Sequence, residues 1–351
     1  LHVSGMTPEK YFPTSNGSGV AIFDYDNDGK LDLYFGSYNP MPPDKPKTGR
    51  NRLYRNLGGG KFEDVTDKAG VGFVGNCHGV MAGDIDNDGD QDLVLCNYGP
   101  NVLYLNNGDG TFTDISKESG LARPGWSSGG AFIDYDNDGD LDLYISNYGD
   151  WHYPQDDVFC GDAEAKVRMY CSPRNIRTAQ HFFYRNNGDH TFTDVTEQVG
   201  LARARLDQAH GFGVVAADLN GDGTTDLYVA NDMGPAFLFL NKGDGTFHDA
   251  TEESGSAYDD KGNAQSGMAA DAEDVDGDGR PELIITTFAN EYSVLFQNLG
   301  NGTFYDQTPA FGLASDTTPW VKWGAGFLDF DNDGWPDLFI ANGHVDDNRE
   351  D

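Results

Sequence analysis

"FDYDNDGKLDLYFGS", residues 23–37, sets four aspartates within nine positions and then runs straight into alternating apolar residues. Carboxylates at that density repel one another, and none can be buried without a partner. A cation shared among them removes both difficulties, so the stretch reads as an oxygen-lined turn feeding a β-strand.

The cluster recurs, and six copies are present: DYDNDGKLD at 24–32, DIDNDGDQD at 84–92, DYDNDGDLD at 134–142, DLNGDGTTD at 218–226, DVDGDGRPE at 274–282 and DFDNDGWPD at 329–337. Start-to-start spacings of 60, 50, 84, 56 and 55 residues describe one repeating unit with a single long insertion. A second pattern follows each of the first five clusters: YRNLGGGKFEDVT from Tyr54, YLNNGDGTFTDIS from Tyr104, YRNNGDHTFTDVT from Tyr184, FLNKGDGTFHDAT from Phe239 and FQNLGNGTFYDQT from Phe296. Asn and Gly accept the positive φ of a tight hairpin, so each of these is strand, turn and strand. With a small-residue run before each acidic cluster (GVAIFDYD) and an alternating run after it (LDLYFGS), a unit holds four strands.

Four-stranded antiparallel units repeating at this interval predict an all-β fold, a β-propeller in a single domain over residues 1–351. The blades fall at about 19–66, 79–116, 129–196, 211–251, 267–308 and 324–342, with an insertion at 147–180 in the third. A stack of sandwich domains is the alternative, but such domains need about 100 residues each. The sixth unit stops at Ile340 after two strands, and residues 1–18 offer no hairpin to complete it. The expectation is a natural chain that extends past one terminus or both and closes the ring.

Fifty-eight acids against 23 bases give a formal charge of −35. Without Lys/Arg clusters, nucleic acid and anionic membrane surfaces are disfavoured as partners. No stretch approaches the roughly 18 apolar residues of a membrane span. Four cysteines without CxxC spacing argue against zinc. Cys160 and Cys171 lie eleven apart in the insertion, in "CGDAEAKVRMYC", and a disulfide there would pin the long loop. Cys77 and Cys96 face each other across a ladder as a second disulfide, or are two buried thiols.

In D-x-[DN]-x-D-G-x-x-[DE], side chains at positions 1, 3, 5 and 9 and the carbonyl at 7 can converge on one hard cation. The predicted ligands are Asp24, Asp26, Asp28, Lys30 and Asp32 in the first loop, and Asp84, Asp86, Asp88, Asp90 and Asp92 in the second. The third supplies Asp134, Asp136, Asp138, Asp140 and Asp142, and the fourth Asp218, Asn220, Asp222, Thr224 and Asp226. The fifth supplies Asp274, Asp276, Asp278, Arg280 and Glu282, and the sixth Asp329, Asp331, Asp333, Trp335 and Asp337. In each, position 7 acts through its carbonyl. An EF-hand would carry Glu at position 12, where these loops have Phe35, Leu95, Ile145, Val229, Ile285 and Ile340, so each feeds a strand and no helix. Four carboxylates in most loops favour Ca²⁺ over Mg²⁺. The expected cofactor is about six structural Ca²⁺ ions, which would move the formal charge from −35 to −23. Solvated acidic turns without metal are the plainer alternative.

The unit "GVAIFDYDNDGKLDLYFGS … NRLYRNLGGGKFEDVT" resembles the FG-GAP/VCBS repeat, the calcium-loop blade also found in integrin α-subunit heads. More narrowly, residues 19–342 resemble the ASPIC/UnbV (cartilage acidic protein-like) group. The resemblance implies a propeller of about seven blades, a cation held by the loop residues named above, and a secreted or cell-surface setting, with the periplasm as an alternative. The terminal domain that gives the group its name does not fall within residues 1–351, and the literal Phe-Gly…Gly-Ala-Pro signature is degenerate.

Working surfaces are expected on long loops. The insertion carries Trp151, His152 and Tyr153, and the matching loop in the first blade is the Pro-rich SYNPMPPDKPKTGR. His78, His210, Ser18, Ser128, Ser266 and Trp323 each precede the Gly that opens an innermost strand and are placed around a channel mouth. No Ser/His/Asp order, phosphate loop or HExxH motif appears. The leading expectation is a non-enzymatic, calcium-binding adhesion module for a protein or glycan. The rivals are a polysaccharide-acting enzyme with its site in the axial funnel, and a structural subunit of a surface assembly.

Overall fold

Each acidic cluster lies between two antiparallel strands, and each hairpin pattern adds two more. In the first blade these are β1 (Val20–Phe23), β2 (Asp32–Phe35), β3 (Arg52–Gly58) and β4 (Lys61–Asp64). The second has β5 (Cys77–Gly83), β6 (Asp92–Pro100), β7 (Val102–Asn106) and β8 (Phe112–Asp114). In the third, β9 (Pro124–Ile133) and β10 (Asp142–Asn147) precede a small hairpin of the insertion, β11 (Gly161–Asp162) and β12 (Val167–Arg168), before β13 (Phe182–Asn186) and β14 (Phe192–Asp194). The fourth comprises β15 (Gly211–Ala217), β16 (Asp226–Asn231), β17 (Phe237–Asn241) and β18 (Phe247–Asp249). The fifth comprises β19 (Ala270–Glu273), β20 (Glu282–Ile285), β21 (Val294–Gly300) and β22 (Thr303–Asp306), and β23 (Lys322–Leu328) pairs with β24 (Asp337–Asn342) in the sixth. This computed structural model describes residues 4–41, 45–201 and 210–345. The tip of the Pro-rich loop (42–44) and the end of the polar tail (346–351) lie outside the described residues.

The all-β propeller follows from how the second strand of each blade divides its side chains. Successive residues of a strand point to opposite faces. Leu93 and Leu95 pack toward the first blade with Phe23, Tyr34 and Leu53, while Val94 and Cys96 pack toward the third with Leu143, Ile145 and Tyr184. Tyr144 then faces Leu227 and Val229 of the fourth blade, whose Tyr228 faces Leu283 and Ile285 of the fifth. The cores are therefore the seams between blades, which is why these strands read as unbroken apolar runs. Among the described residues no blade packs beyond the sixth, and Phe330 and Phe339 stand 79% and 63% exposed there.

Innermost strands crowd the axis, and their small residues are a steric necessity. A Cβ on Gly79 would lie 2.9 Å from the Ser128 carbonyl oxygen, and one on Gly129 would lie 2.8 Å from that of Phe212. The end of β6 leans across the seam, where Tyr98, Gly99 and Pro100 pair with Trp126, Gly125 and Pro124 of β9. Blades two and three thereby form one eight-stranded sheet.

Cys160 and Cys171 are bonded. Cys77 and Cys96 are free and buried, so the disulfide alternative does not hold for them. A register shift opposes Cys77 to Asn97 and Cys96 to Gly79, which turns the two thiols into different seams.

Candidate functional site

The first strand of a blade runs to its acidic loop and the second returns, so all six loops share one rim. The connections from second to third strand, including the insertion, lie at the other. The second loop shows how the acids are arranged. Asp84 Oδ1 and Oδ2 accept hydrogen bonds from the Asp88 and Gly89 amides at 3.2 and 2.9 Å, and Asp88 Oδ1 accepts from the Asp90 amide at 2.9 Å. The turn passes through two left-handed residues, Asn87 (φ 60°) and Gly89 (φ 92°), so Asn or Gly recurs at position 4 and Gly at position 6. In the fourth and fifth loops position 4 is Gly221 or Gly277.

Position 9 is the buried end of the arrangement. Asp92 Oδ2 accepts from the Ile85 amide at 3.0 Å and Oδ1 from the Asn106 amide at 2.7 Å. Asp32, Asp142, Asp226 and Glu282 repeat both bonds, with Asn56, Asn186, Asn241 and Asn298 as the hairpin partners. Asp337 repeats the first, to the Phe330 amide. Each hairpin Asn from the second blade to the fifth also reaches an earlier blade: Asn106 Nδ2 donates to the Tyr25 carbonyl, Asn186 to Ile85, Asn241 to Tyr135 and Asn298 to Leu219, at 2.7–3.1 Å. Sequence reasoning used these asparagines only as turn formers. Their signal was the fixed Asn that follows each aromatic-x pair, as in YRN and YLN.

Positions 1, 3 and 9 bring ligand atoms within 4.8 Å of one another in loops one, two, three and five: Asp24/Asp26/Asp32, Asp84/Asp86/Asp92, Asp134/Asp136/Asp142 and Asp274/Asp276/Glu282. In the sixth the convergent trio is Asp329, Asp331 and Asp333. The fourth has Asn220 at position 3, donating to Asp222 Oδ2 at 2.9 Å. Asp26 Oδ1 and Asp86 Oδ1 are buried without a hydrogen-bond partner among the described residues. An all-oxygen donor set with orphaned carboxylate oxygens fits a hard divalent cation.

Burial pushes the Asp92, Asp142 and Asp226 carboxyls up to about 7 and raises Asp32 and Glu282 as well. Asp86 is raised first by burial, then by the neighbouring Asp88 charge.

Position 7 distinguishes the loops. Lys30 pairs with Asp28 at 2.8 Å, and Arg280 pairs with Asp278. Thr224 donates to Asp222 at 2.6 Å, and Trp335 is exposed. The Asp90 and Asp140 side chains turn away to accept from Asn27 and Asn87 of the preceding blade at 2.6 and 2.8 Å. Hairpin side chains also enter the loops. Arg55 Nη2 bonds Asp28 Oδ2 at 3.0 Å, and its Nε stands 2.7 Å from Asp26 Oδ2 as a charge contact without hydrogen-bond alignment. His190 Nε2 lies 3.1 Å from Asp86 Oδ2, and Gln297 donates to Asp276 at 3.3 Å.

At the opposite rim Trp151 is 3% exposed, packed with Tyr11, Tyr98 and Trp126, so it covers the mouth and is unavailable for stacking on a ligand. Tyr153 and His152 are exposed. His78 and His210 are buried: Trp126 Nε1 donates to His78 Nε2 at 2.9 Å, and His210 Nδ1 lies 2.8 Å from the Tyr148 carbonyl. Burial holds His78 down to about 3 and lowers His210. Ser266 and Trp323 do line an axial cavity.

The FG-GAP-like repeat family matches residues 24–95, 84–145, 155–229, 218–285 and 274–340. Cartilage acidic protein 1 of Homo sapiens is 28% identical over 152 residues, covering 42% of this chain and 21% of that protein. Its Xenopus tropicalis counterpart is 28% identical over 153 residues, with 43% and 22% covered. The match thus spans about a fifth of the length of these curated relatives. Among solved structures, an Agrocybe aegerita lectin that recognises non-reducing terminal N-acetylglucosamine superposes with a TM-score of 0.48 at 20% identity, covering 93% of this chain and 75% of that one. The V. cholerae biofilm matrix protein Bap1 gives 0.42 at 15% identity, covering 83% and 39%.

Proposed function

This chain belongs to the FG-GAP-like repeat family, and from that premise we propose that it is an extracellular β-propeller, stabilised by about six Ca²⁺ ions, that binds a protein or glycan. The observation that carries the calcium reading is the pair of orphaned position-3 oxygens, Asp26 Oδ1 and Asp86 Oδ1, aimed into loops whose other acids already hold the backbone in a cation-ready turn. Bound there, calcium would supply positive charge to carboxylates that burial otherwise disfavours. The ligands are the residues at positions 1, 3, 5 and 9 with the position-7 carbonyl, and the ion's role is structural.

The Cys160–Cys171 disulfide supports an oxidising setting. Among the described residues no helix is long and apolar enough to cross a membrane. Binding in place of catalysis is the reading adopted, because long loops and a partly covered mouth crowd the rim opposite the acidic loops.

Isothermal titration of the chelator-treated protein tests the metal, with about five or six Ca²⁺ ions expected per chain and a higher melting temperature once they bind. At free Ca²⁺ about 100-fold above the dissociation constant, each ion adds roughly 2.7 kcal/mol. A melting temperature indifferent to chelator overturns the calcium reading. A glycan and matrix-protein array probed in Ca²⁺ and in EDTA tests the binding role, which calcium-dependent capture without product formation supports.

A further inference from the structure

A cavity of about 470 Å³ opens at the axis on the rim opposite the acidic loops, where inner strands of blades four to six begin. One side is closed by the N-terminal segment through Phe12 and by the blade-three insertion through Ser172. Its wall is aromatic: Tyr148 and Phe212 have ring centroids 5.1 Å apart, and Phe212 and Trp323 6.5 Å, both edge to face. Phe288 adds a further ring.

Two carboxylates line this apolar chamber, Asp232 and Glu291. Asp232 is 7% exposed and accepts from the Tyr148 hydroxyl at 2.7 Å. Ser266 is held against Glu291, its amide donating to Oε2 at 2.8 Å and its hydroxyl to Oε1 at 3.4 Å. Lys322, beside Glu291, is fully buried and spends its ammonium on the Phe288 and Glu291 backbone carbonyls at 3.0 and 2.6 Å. No Lys, Arg or His is among the described residues lining the cavity. Among the described residues the chamber thus sets two acids against one buried ammonium, at a place where unpaired charge is costly. Burial accordingly raises both carboxyls, Asp232 to about 6.

We propose that this cavity binds the ammonium group of an alkylamine, with Asp232 and Glu291 as its anionic partners and the faces of Tyr148, Phe212 and Trp323 as its walls. An organic cation satisfies both halves of the lining: its charge meets the carboxylates and its methylene body meets the rings. A hydrated metal ion would leave the rings unused, and a neutral ligand would leave the charge deficit in place. The proposal rests on the reading of the propeller as a binding module and names the chemistry that the module recognises.

The test is titration of the full chain in saturating Ca²⁺ with n-butylammonium, with Nα-acetyl-lysine amide and with n-butanol as neutral isostere, followed by calorimetry and by tryptophan fluorescence. Both ammonium probes are expected to saturate, butanol to bind at least about ten-fold more weakly, and Asp232→Asn and Glu291→Gln each to weaken ammonium binding about ten-fold or more. Asn at 232 can still accept from Tyr148, and the second variant keeps the test sound should the first fail to fold. Tighter binding of the lysine amide than of butylammonium points to a lysine side chain on a protein partner. Equal affinity points to a free amine. Butanol binding as well as butylammonium, variants that bind like the parent, or no saturable binding at all overturns the proposal. The melting shift with Ca²⁺, read on the same samples, and the array result are separate outcomes, so losing the pocket leaves the wider reading standing.

Discussion

Asp92 and Asn106 hold each other across neighbouring strands: the Asn106 amide donates to Asp92 Oδ1 at 2.7 Å, and the Asn106 side chain continues to the Tyr25 carbonyl of the preceding blade at 2.9 Å. One residue thus ties an acidic loop to its own hairpin and to the next loop along the rim. Asn106→Ala strands the Tyr25 and Gln91 carbonyls, both previously bonded. Chemical denaturation should show a loss of about 2–3 kcal/mol. A loss below about 0.5 kcal/mol, the range of ordinary surface substitutions, would show that the inter-blade bond is dispensable.

Asp92→Asn removes an anionic ligand together with an acceptor. Both Asp92 oxygens accept backbone amides, so the substitution relieves a charge that is 1% exposed but leaves either the Ile85 or the Asn106 N–H facing a donor. The variant should lose more stability in saturating Ca²⁺ than in EDTA, because only there is an anionic ligand also missed. Parallel melts in the two conditions read the difference, and an equal loss in both would contradict calcium binding at Asp92.

On the calcium proposal, Arg55 should weaken binding at the first loop, since its guanidinium already sits against Asp26 and Asp28. The equivalent residues of blades two and four are Leu105 and Leu240. Arg55→Leu should therefore tighten the weakest site about ten-fold or add a resolvable one, as measured by calcium titration or terbium luminescence. Unchanged stoichiometry and affinities would show that the arginine swings away on binding.

Without metal, stability should fall as pH rises. The folded values of Asp92, Asp142 and Asp226, about 7, stand above the ordinary 3.8, so the fold prefers their protonated forms. The stability they contribute is complete below about pH 4 and lost as pH rises through about 7. In EDTA the melting temperature at about pH 5 should exceed that at about pH 8. Calcium, which needs the ionised acids, should reverse the order. A flat profile in EDTA would count against buried, protonated position-9 acids.

Native protein should show no thiol reactive toward a disulfide reagent. Cys160 and Cys171 are bonded, and burial pushes the Cys77 thiol up to about 12 and raises Cys96 further from reactivity. Denaturant alone should expose two thiols and denaturant with reductant four, a count that any Cys77–Cys96 bond would alter.

The blade plan was legible because repetition multiplies weak signals. One DxDxDG turn says little, but six in register, five followed by a hairpin, fix strand number, strand order and the rim on which the acids gather. Side chains that enter the acidic loops from a hairpin were not legible. Arg55 and His190 sit in hairpins that look purely structural; Arg55 reaches Asp26 and Asp28 of its own blade, while the reach of His190 to Asp86 depends on how far one blade is rotated against the next. The Cys77 register was hidden by a bulge that only the assembled ladder reveals. Trp151 read as an exposed loop aromatic because nothing in its own segment announces the Tyr11 and Tyr98 rings that pack against it. The axial acids escaped for the same reason: Asp232 follows β16 and Glu291 follows β20, and only the packing of the fourth blade against the fifth puts them in one chamber.

Among the described residues, Tyr98–Pro100 against Pro124–Trp126 is the one place where strands of different blades join a single ladder. Single main-chain bonds cross other seams, as from the Gly213 amide to the Met268 carbonyl at 2.7 Å, but several paired residues in register resist shear more than one bond does. Pulled from its ends, or left in deuterium oxide, the ring should come apart around blades two and three, which would behave as one stiff plate while their neighbours peel away.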